Sequence, residues 1–189
     1  MARQAVMVRQ VCTLVPFDPA CSPDILVSAE VIWRMDGVLE LSYGLRSKVN
    51  GSLSALLLQP SAQIQQRRDQ LWMHSCFEAF LSLPNQKKYW ELNISPSGDW
   101  NVYSLENYRQ GQMPESTVES PRVRVQRTPL ACQCDVQLDL NPWWPDVFRA
   151  PQLGLAVVLE QSDASLSYWA IRHHREVADF HDRRSFLQL

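Results

Sequence analysis

Ile25-Leu26-Val27-Ser28-Ala29-Glu30-Val31-Ile32-Trp33-Arg34-Met35-Asp36-Gly37-Val38-Leu39-Glu40-Leu41-Ser42-Tyr43-Gly44-Leu45 decides the fold. Ile25, Val27, Ala29, Val31 and Trp33 alternate with Ser28, Glu30 and Arg34; beyond Asp36-Gly37, Leu39, Leu41, Tyr43 and Leu45 alternate with Glu40, Ser42 and Gly44. Successive side chains of an extended chain point to opposite faces, so a period of two describes strands with one buried face. An Asp-Gly pair between two such runs predicts a hairpin with a type I′ turn, in which both central residues take φ > 0.

The same period recurs along the chain. Cys132, Cys134, Val136, Leu138 and Leu140 alternate with Gln133, Asp135, Gln137 and Asp139. Further strands are expected at Val6 to Val15, Ser52 to Leu58, Cys76 to Ser82, Lys88 to Ser95, Trp100 to Ser104, Val123 to Arg127, Leu153 to Glu160, Leu166 to Arg172 and Ser185 to Leu189. Pro96-Ser97-Gly98-Asp99 has the composition of a turn. Only Ser61 to His74 has room for a few helical turns, and its apolar spacing is poor. Short strands broken by turn residues predict an all-β protein: an antiparallel β-sandwich of jelly-roll type, with about ten to twelve strands and little helix. Nothing marks a domain boundary, so residues 1–189 are read as one domain.

Composition narrows the function classes. Of 189 residues, 46% are apolar and 20% charged, and the net charge is -2. Nucleic-acid binding needs a concentrated basic face, and the small cluster Arg122, Arg124 and Arg127 reads instead as a solvated strand face. No stretch reaches the roughly 20 apolar residues of a membrane-spanning helix. Met1 to Phe17 lacks the charged start, apolar centre and cleavage-type end of a signal peptide. Five cysteines without a compact framework read as reduced thiols, so a cytoplasmic location is expected.

The segment most suggestive of function is Leu71-Trp72-Met73-His74-Ser75-Cys76-Phe77-Glu78-Ala79-Phe80-Leu81, followed by Tyr89-Trp90-Glu91-Leu92-Asn93-Ile94-Ser95-Pro96-Ser97-Gly98-Asp99-Trp100. Alternation places Cys76, Glu78 and Phe80 on one face of their strand, and Tyr89, Glu91, Asn93 and Ser95 on one face of the next. Trp90, Leu92 and Ile94 belong to the core. Acids and amides rimmed by aromatic rings suit a sugar, whose C–H face stacks on a ring while its hydroxyls bond to carboxylates and amides. Other chemistries stay open. His74 and Cys76 share a face but have no third group to activate the thiol. Glu78 and Glu91 could form a glycosidase-like pair. His173, His174, Asp179 and His181 match no zinc spacing, and an Asp179–His181 hydrogen bond would be structural. The stiff Asn141-Pro142-Trp143-Trp144-Pro145 segment is either a docking loop or, more simply, core.

These residues resemble the DOMON-like superfamily, in particular the branch related to family 9 carbohydrate-binding modules. The similarity rests on the Trp72-to-Trp100 pattern and on Tyr168-Trp169-Ala170, Asp179-Phe180-His181 and Ser185-Phe186, and covers the chain from about Ile25 onward. It implies a β-sandwich with a ligand pocket, and a non-catalytic module binding a small polar ligand, most simply a saccharide. Two aromatic rings clamp the sugar in the related modules, the first six residues before an acid, as Trp72 lies before Glu78. The second ring lies in the closing loop, where Phe180 stands. Trp72 and Phe180 are thus expected as walls, with Glu78, Asn93 and His181 as hydrogen-bonding groups. The family's calcium ligands have no counterparts here. Superfamily members that hold haem use a Met–His pair, so a haem module with Met73 or Met113 opposite His181 is the alternative cofactor reading.

Overall fold

The computed structural model describes residues 5–48, 53–146 and 149–189. Among these residues twelve strands run in chain order: β1 (Val6–Pro16), β2 (Ile25–Arg34), β3 (Val38–Ser47), β4 (Cys76–Ser82), β5 (Tyr89–Ile94), β6 (Trp100–Leu105), β7 (Met113–Pro114), β8 (Arg122–Thr128), β9 (Ala131–Asp139), β10 (Gln152–Glu160), β11 (Leu166–Ala170) and β12 (Leu187–Gln188). Two 3-10 turns, Leu71–Met73 and Arg183–Ser185, are the helical elements among the described residues. The strands form an antiparallel β-sandwich. One layer has the order β8-β9-β3-β2-β1; the other has β7-β6-β5-β4-β10-β11, with β12 added to the start of β10. β1 joins the layers: Val6 to Leu14 pair with β2, whereas Val15 and Pro16 pair with β11.

The alternating runs fold as their period dictates. Ile25, Val27, Ala29, Val31 and Trp33 are all buried, and each of the last four faces a buried partner of β3: Leu45, Tyr43, Leu41 and Leu39. Their apolar surface meets Phe77, Ala79 and Leu81 of β4 and Trp90, Leu92 and Ile94 of β5 in one core. Removing each large side chain from water contributes about 1.5–3 kcal/mol. Cys132 and Cys134 are also core residues. Trp143 and Trp144 belong to the core as well: they pack on Trp90, with ring centroids 5.8 and 5.2 Å away, and Trp144 also meets Trp33. The reading of this segment as an exposed docking loop is therefore set aside.

Four local expectations change. The Asp36-Gly37 turn is not type I′, because Gly37 alone has positive φ, at 79°. The Gly37 N–H closes on the Arg34 carbonyl at 3.2 Å, making a longer turn. Ser52 lies outside the described residues, and the strand expected to Leu58 reduces to one bridge between Leu56 and Gln161. Leu53 and Leu56 are buried with a spacing of three, which a turn satisfies and a strand does not. At the C-terminal end, the expected Ser185 to Leu189 strand shortens to Leu187–Gln188, because Ser185 closes a 3-10 turn. The helical turns considered for Ser61 to His74 shrink to Leu71–Met73.

The outer face of β4 and β5, expected to be an open polar face, is buried. Every residue of both strands is buried. A second apolar cluster of Phe80, Tyr89, Tyr103, Leu105, Ala156, Ala170 and Phe186 covers it, with Trp72 and Phe180 packed at its margin. Alternation separates the two faces correctly, but burial of both depends on the residues 171–186 folding across the sheet.

Candidate functional site

Three chain segments converge over this outer face and leave a cavity of about 330 Å³. Its floor is the sheet itself: Glu78 of β4, Glu91 of β5, Val158 of β10 and Tyr168 of β11. One wall is Trp72, the opposite wall is Ala178, Phe180 and His181, and the rim is Leu105, Arg109 and Gln112. Trp72, Glu78, Phe180 and His181 are thus brought together as expected from sequence. Asn93 is not: it is fully buried and lines no part of the cavity. Its amide donates to Glu91 Oε1 at 2.8 Å, so it orients a wall carboxylate. Asn93 and Glu91 share a strand face, and alternation alone does not say which of the two lies beneath the cavity.

Each wall is fixed by its own local structure. Trp72 sits on the 3-10 turn that follows Gln70, a residue with φ 60°. Its indole meets the Tyr103 ring edge-on at 5.5 Å. The Tyr103 hydroxyl donates to Asp69 Oδ1 at 2.8 Å, and Asn101 donates to the same oxygen at 2.9 Å. That bonding anchors the loop that carries Trp72. From the other side of the sandwich, the Tyr43 hydroxyl donates to the Glu78 carbonyl at 2.6 Å.

Phe180 and His181 ride on a strap held by charge. Asp179 accepts from the Tyr108 hydroxyl, from the Arg109 guanidinium at 3.0 Å and from the His181 backbone N–H at 3.2 Å, and pairs with Arg175 at 2.9 Å. Burial opposes its ionisation, but the Tyr108 hydroxyl and Arg109 outweigh it and hold the carboxyl below the usual range. Asp182 caps the Arg183–Ser185 turn and accepts from Arg184 and Arg175. The Asp179–His181 hydrogen bond runs to the backbone; the imidazole is engaged elsewhere. Its Nδ1 lies 2.7 Å from the Tyr89 hydroxyl.

The electrostatics of the floor are unusual. Glu78 is 3% exposed, and its Oε1 is buried with no hydrogen-bond partner among the described residues. Burial raises its pKa well above the ordinary value, the neighbouring Glu91 raises it further, and Arg109 opposes both. Burial also raises Glu91, against the Asn93 hydrogen bond and the charge of Arg109. His181 is driven down to about 4, chiefly by burial and then by Arg109. The imidazole is therefore neutral at neutral pH.

Other candidate constellations are not assembled. Cys76 is buried, and burial raises its thiol pKa well above the ordinary value; its Sγ contacts Asn93 Oδ1 at 3.6 Å. His74 instead meets Glu160 at 2.8 Å. The Met–His pair that would hold haem does not fit: Met73 and Met113 are 56% and 64% exposed, and neither lines the cavity with His181. Among the described residues, no group of three or more His, Cys, Asp or Glu is placed to hold a metal ion. Sequence reasoning missed Arg109, Gln112 and Tyr168 as cavity residues. Arg109 and Gln112 lie in the long segment Leu105 to Pro121, whose length was their only signal.

No protein-family model matches the chain, and no curated protein shows significant similarity to it. Two solved structures do. A Bacteroides uniformis protein to which carbohydrate binding has been provisionally ascribed superposes with a TM-score of 0.65 at 11% identity, covering 94% of this chain and 84% of its own. A family 9 carbohydrate-binding module from Caldicellulosiruptor kristjanssonii, in complex with glucose, gives a TM-score of 0.42 at 12% identity, covering 79% of this chain and 69% of its own. At 11% identity the first likeness shows a shared fold.

Proposed function

We propose that the protein is a non-catalytic module that binds a small saccharide in the cavity between Trp72 and Phe180, as a distant relative of the DOMON-like and family 9 carbohydrate-binding modules. The observation that carries this reading is that Glu78, whose Oε1 is buried without a partner, lines a cavity that Trp72, Tyr168 and Phe180 also line. A buried acceptor without a donor costs about 1–3 kcal/mol, and a ligand hydroxyl or other donor recovers it. The volume lies at the low end of the roughly 300–1,000 Å³ of small-molecule sites, which fits one or two sugar rings. The fold shared with the Bacteroides uniformis protein supports the assignment. Cys76 makes a poor nucleophile, because burial raises its thiol pKa well above the ordinary value and its Sγ is turned to Asn93 Oδ1.

Ring stacking of about 1 kcal/mol per ring and a few hydrogen bonds must offset association costs. Dissociation constants from about micromolar to millimolar are expected. Isothermal titration against mono- and disaccharides tests the reading. Trp72→Ala should weaken the best ligand by about tenfold, equivalent to about 1.4 kcal/mol. Absence of heat with every sugar overturns it.

A further inference from the structure

We infer that the sugar this cavity prefers carries a free, protonated amine. The inference rests on the saccharide-binding reading above and names the ligand's chemistry.

Two carboxylates, Glu78 and Glu91, form the floor of one small cavity. They are 3% and 4% exposed, so water does not screen them from each other. Their surroundings divide them. Glu91 accepts from Asn93. Glu78 keeps one buried oxygen with no donor. The cation nearest them, Arg109, is already committed: its guanidinium bonds to Asp179 on the strap, at 3.0 Å. The other titratable groups around Glu78 are the neutral imidazole of His181 on the strap, the phenol of Tyr168 on the floor and the thiol of Cys76 beside it on β4. The cavity is thus short of positive charge and short of one hydrogen-bond donor, at the same atom.

A neutral hydroxyl supplies the donor but leaves two acids facing each other. An ammonium supplies both. The aromatic rings of Trp72, Tyr168 and Phe180 around the same space favour a cation further, because ring faces attract positive charge. An anionic sugar acid fits the site worst, since its carboxylate would join two others.

The raised pKa of Glu78 adds a proton balance. Burial and the neighbouring Glu91 favour the protonated form of the free carboxyl. Entry of R–NH3+ favours the ionised form, so the proton leaves to solvent as the ion pair forms. Nothing else changes: no covalent bond is made.

The test is calorimetric titration of the intact chain at neutral pH with glucosamine, glucose and N-acetylglucosamine, which share a ring but differ in charge. Glucosamine should bind at least tenfold more tightly than the other two. Repeated in buffers of different ionisation enthalpy, its binding should release protons, and glucose binding should not. In Glu78→Gln, the glucosamine advantage and the proton release should both vanish, and an advantage that survives in this variant overturns the inference. Equal binding of glucosamine and glucose by the unmodified protein overturns the inference and leaves the saccharide reading standing. No binding of any sugar overturns both.

Discussion

The Tyr89 hydroxyl stands 2.7 Å from Nδ1 of His181, a contact between residues 92 positions apart. The same hydroxyl accepts the backbone N–H of Arg109 at 3.1 Å. Its own proton is then left for Nδ1, which places the imidazole proton on Nε2. One phenol thereby fixes both the strap and the loop that close the cavity. Burial raises the Tyr89 pKa to about 12, so it stays a donor across the working range.

Tyr89→Phe keeps the ring and deletes this junction. Two polar groups lose their partner, a cost of about 1–3 kcal/mol. The thermal midpoint should fall, and ligand affinity should fall with it, because His181 and Arg109 are no longer held in register. An unchanged affinity in calorimetry would mean that the strap is positioned without Tyr89.

His181 gives stability a definite dependence on pH. Its folded pKa of about 4 lies below the ordinary 6.5. Between these values the unfolded chain binds a proton that the folded chain refuses, so stability rises with pH across the window. On acidification from neutral pH, about 3 kcal/mol should be lost by pH 4 from this group. Urea titrations across the window, with His181→Gln as the control, should show a flatter profile in the variant.

Glu78 acts in the opposite direction. Its raised folded pKa means that its contribution is complete below the unfolded value and is lost as pH rises through the folded value. Glu78→Gln should therefore stabilise the protein at alkaline pH and have less effect under acidic conditions. Thermal melts at the two extremes measure the difference. Equal shifts at both would show that the carboxyl does not titrate within that range.

Gly154 of β10 is the seat of the Phe186 ring. A Cβ at this position would lie 2.5 Å from Phe186 Cε1. Gly154→Ala should cost about 1–3 kcal/mol through overpacking. Because Phe186 packs against Phe80, whose ring in turn contacts Phe180 and His181, the damage should reach the cavity and lower affinity as well as stability. Chemical denaturation and sugar titration of the same variant separate the two effects.

The fold was legible wherever a strand has one face in the core. β2 and β3 follow their alternation except at Arg34, which is buried beside Trp33 in its pairing with Asp36 and Glu40, and β4 has the bounds that its sequence predicts. Leu53 and Leu56 were misread because a buried turn also produces apolar residues at short spacing. The site was half legible. Trp72, Glu78, Phe180 and His181 stand out through the resemblance, and Glu78 also through its strand face. Asn93 and Glu91 share one strand face, but only Glu91 lines the cavity, because periodicity gives a residue's side of the sheet and not its position beneath a distant strap. Arg109 and Tyr168 come from a long loop and a strand whose meeting over the cavity is a tertiary event that neither the loop's length nor the Tyr168-Trp169-Ala170 motif specifies.

β1 is stitched to β2 along most of its length and to β11 at its far end. Sliding one sheet over the other would have to tear a single strand from two partners at once. The floor of Glu78, Glu91, Val158 and Tyr168 therefore behaves as a fixed plate rather than a jaw. Traffic into and out of the cavity is left to residues 105–112 and 171–182. In the proposed role, a ligand's residence time would be set there, by the side-chain anchors Asp179 and Tyr89, and could be lengthened or shortened without altering the plate beneath.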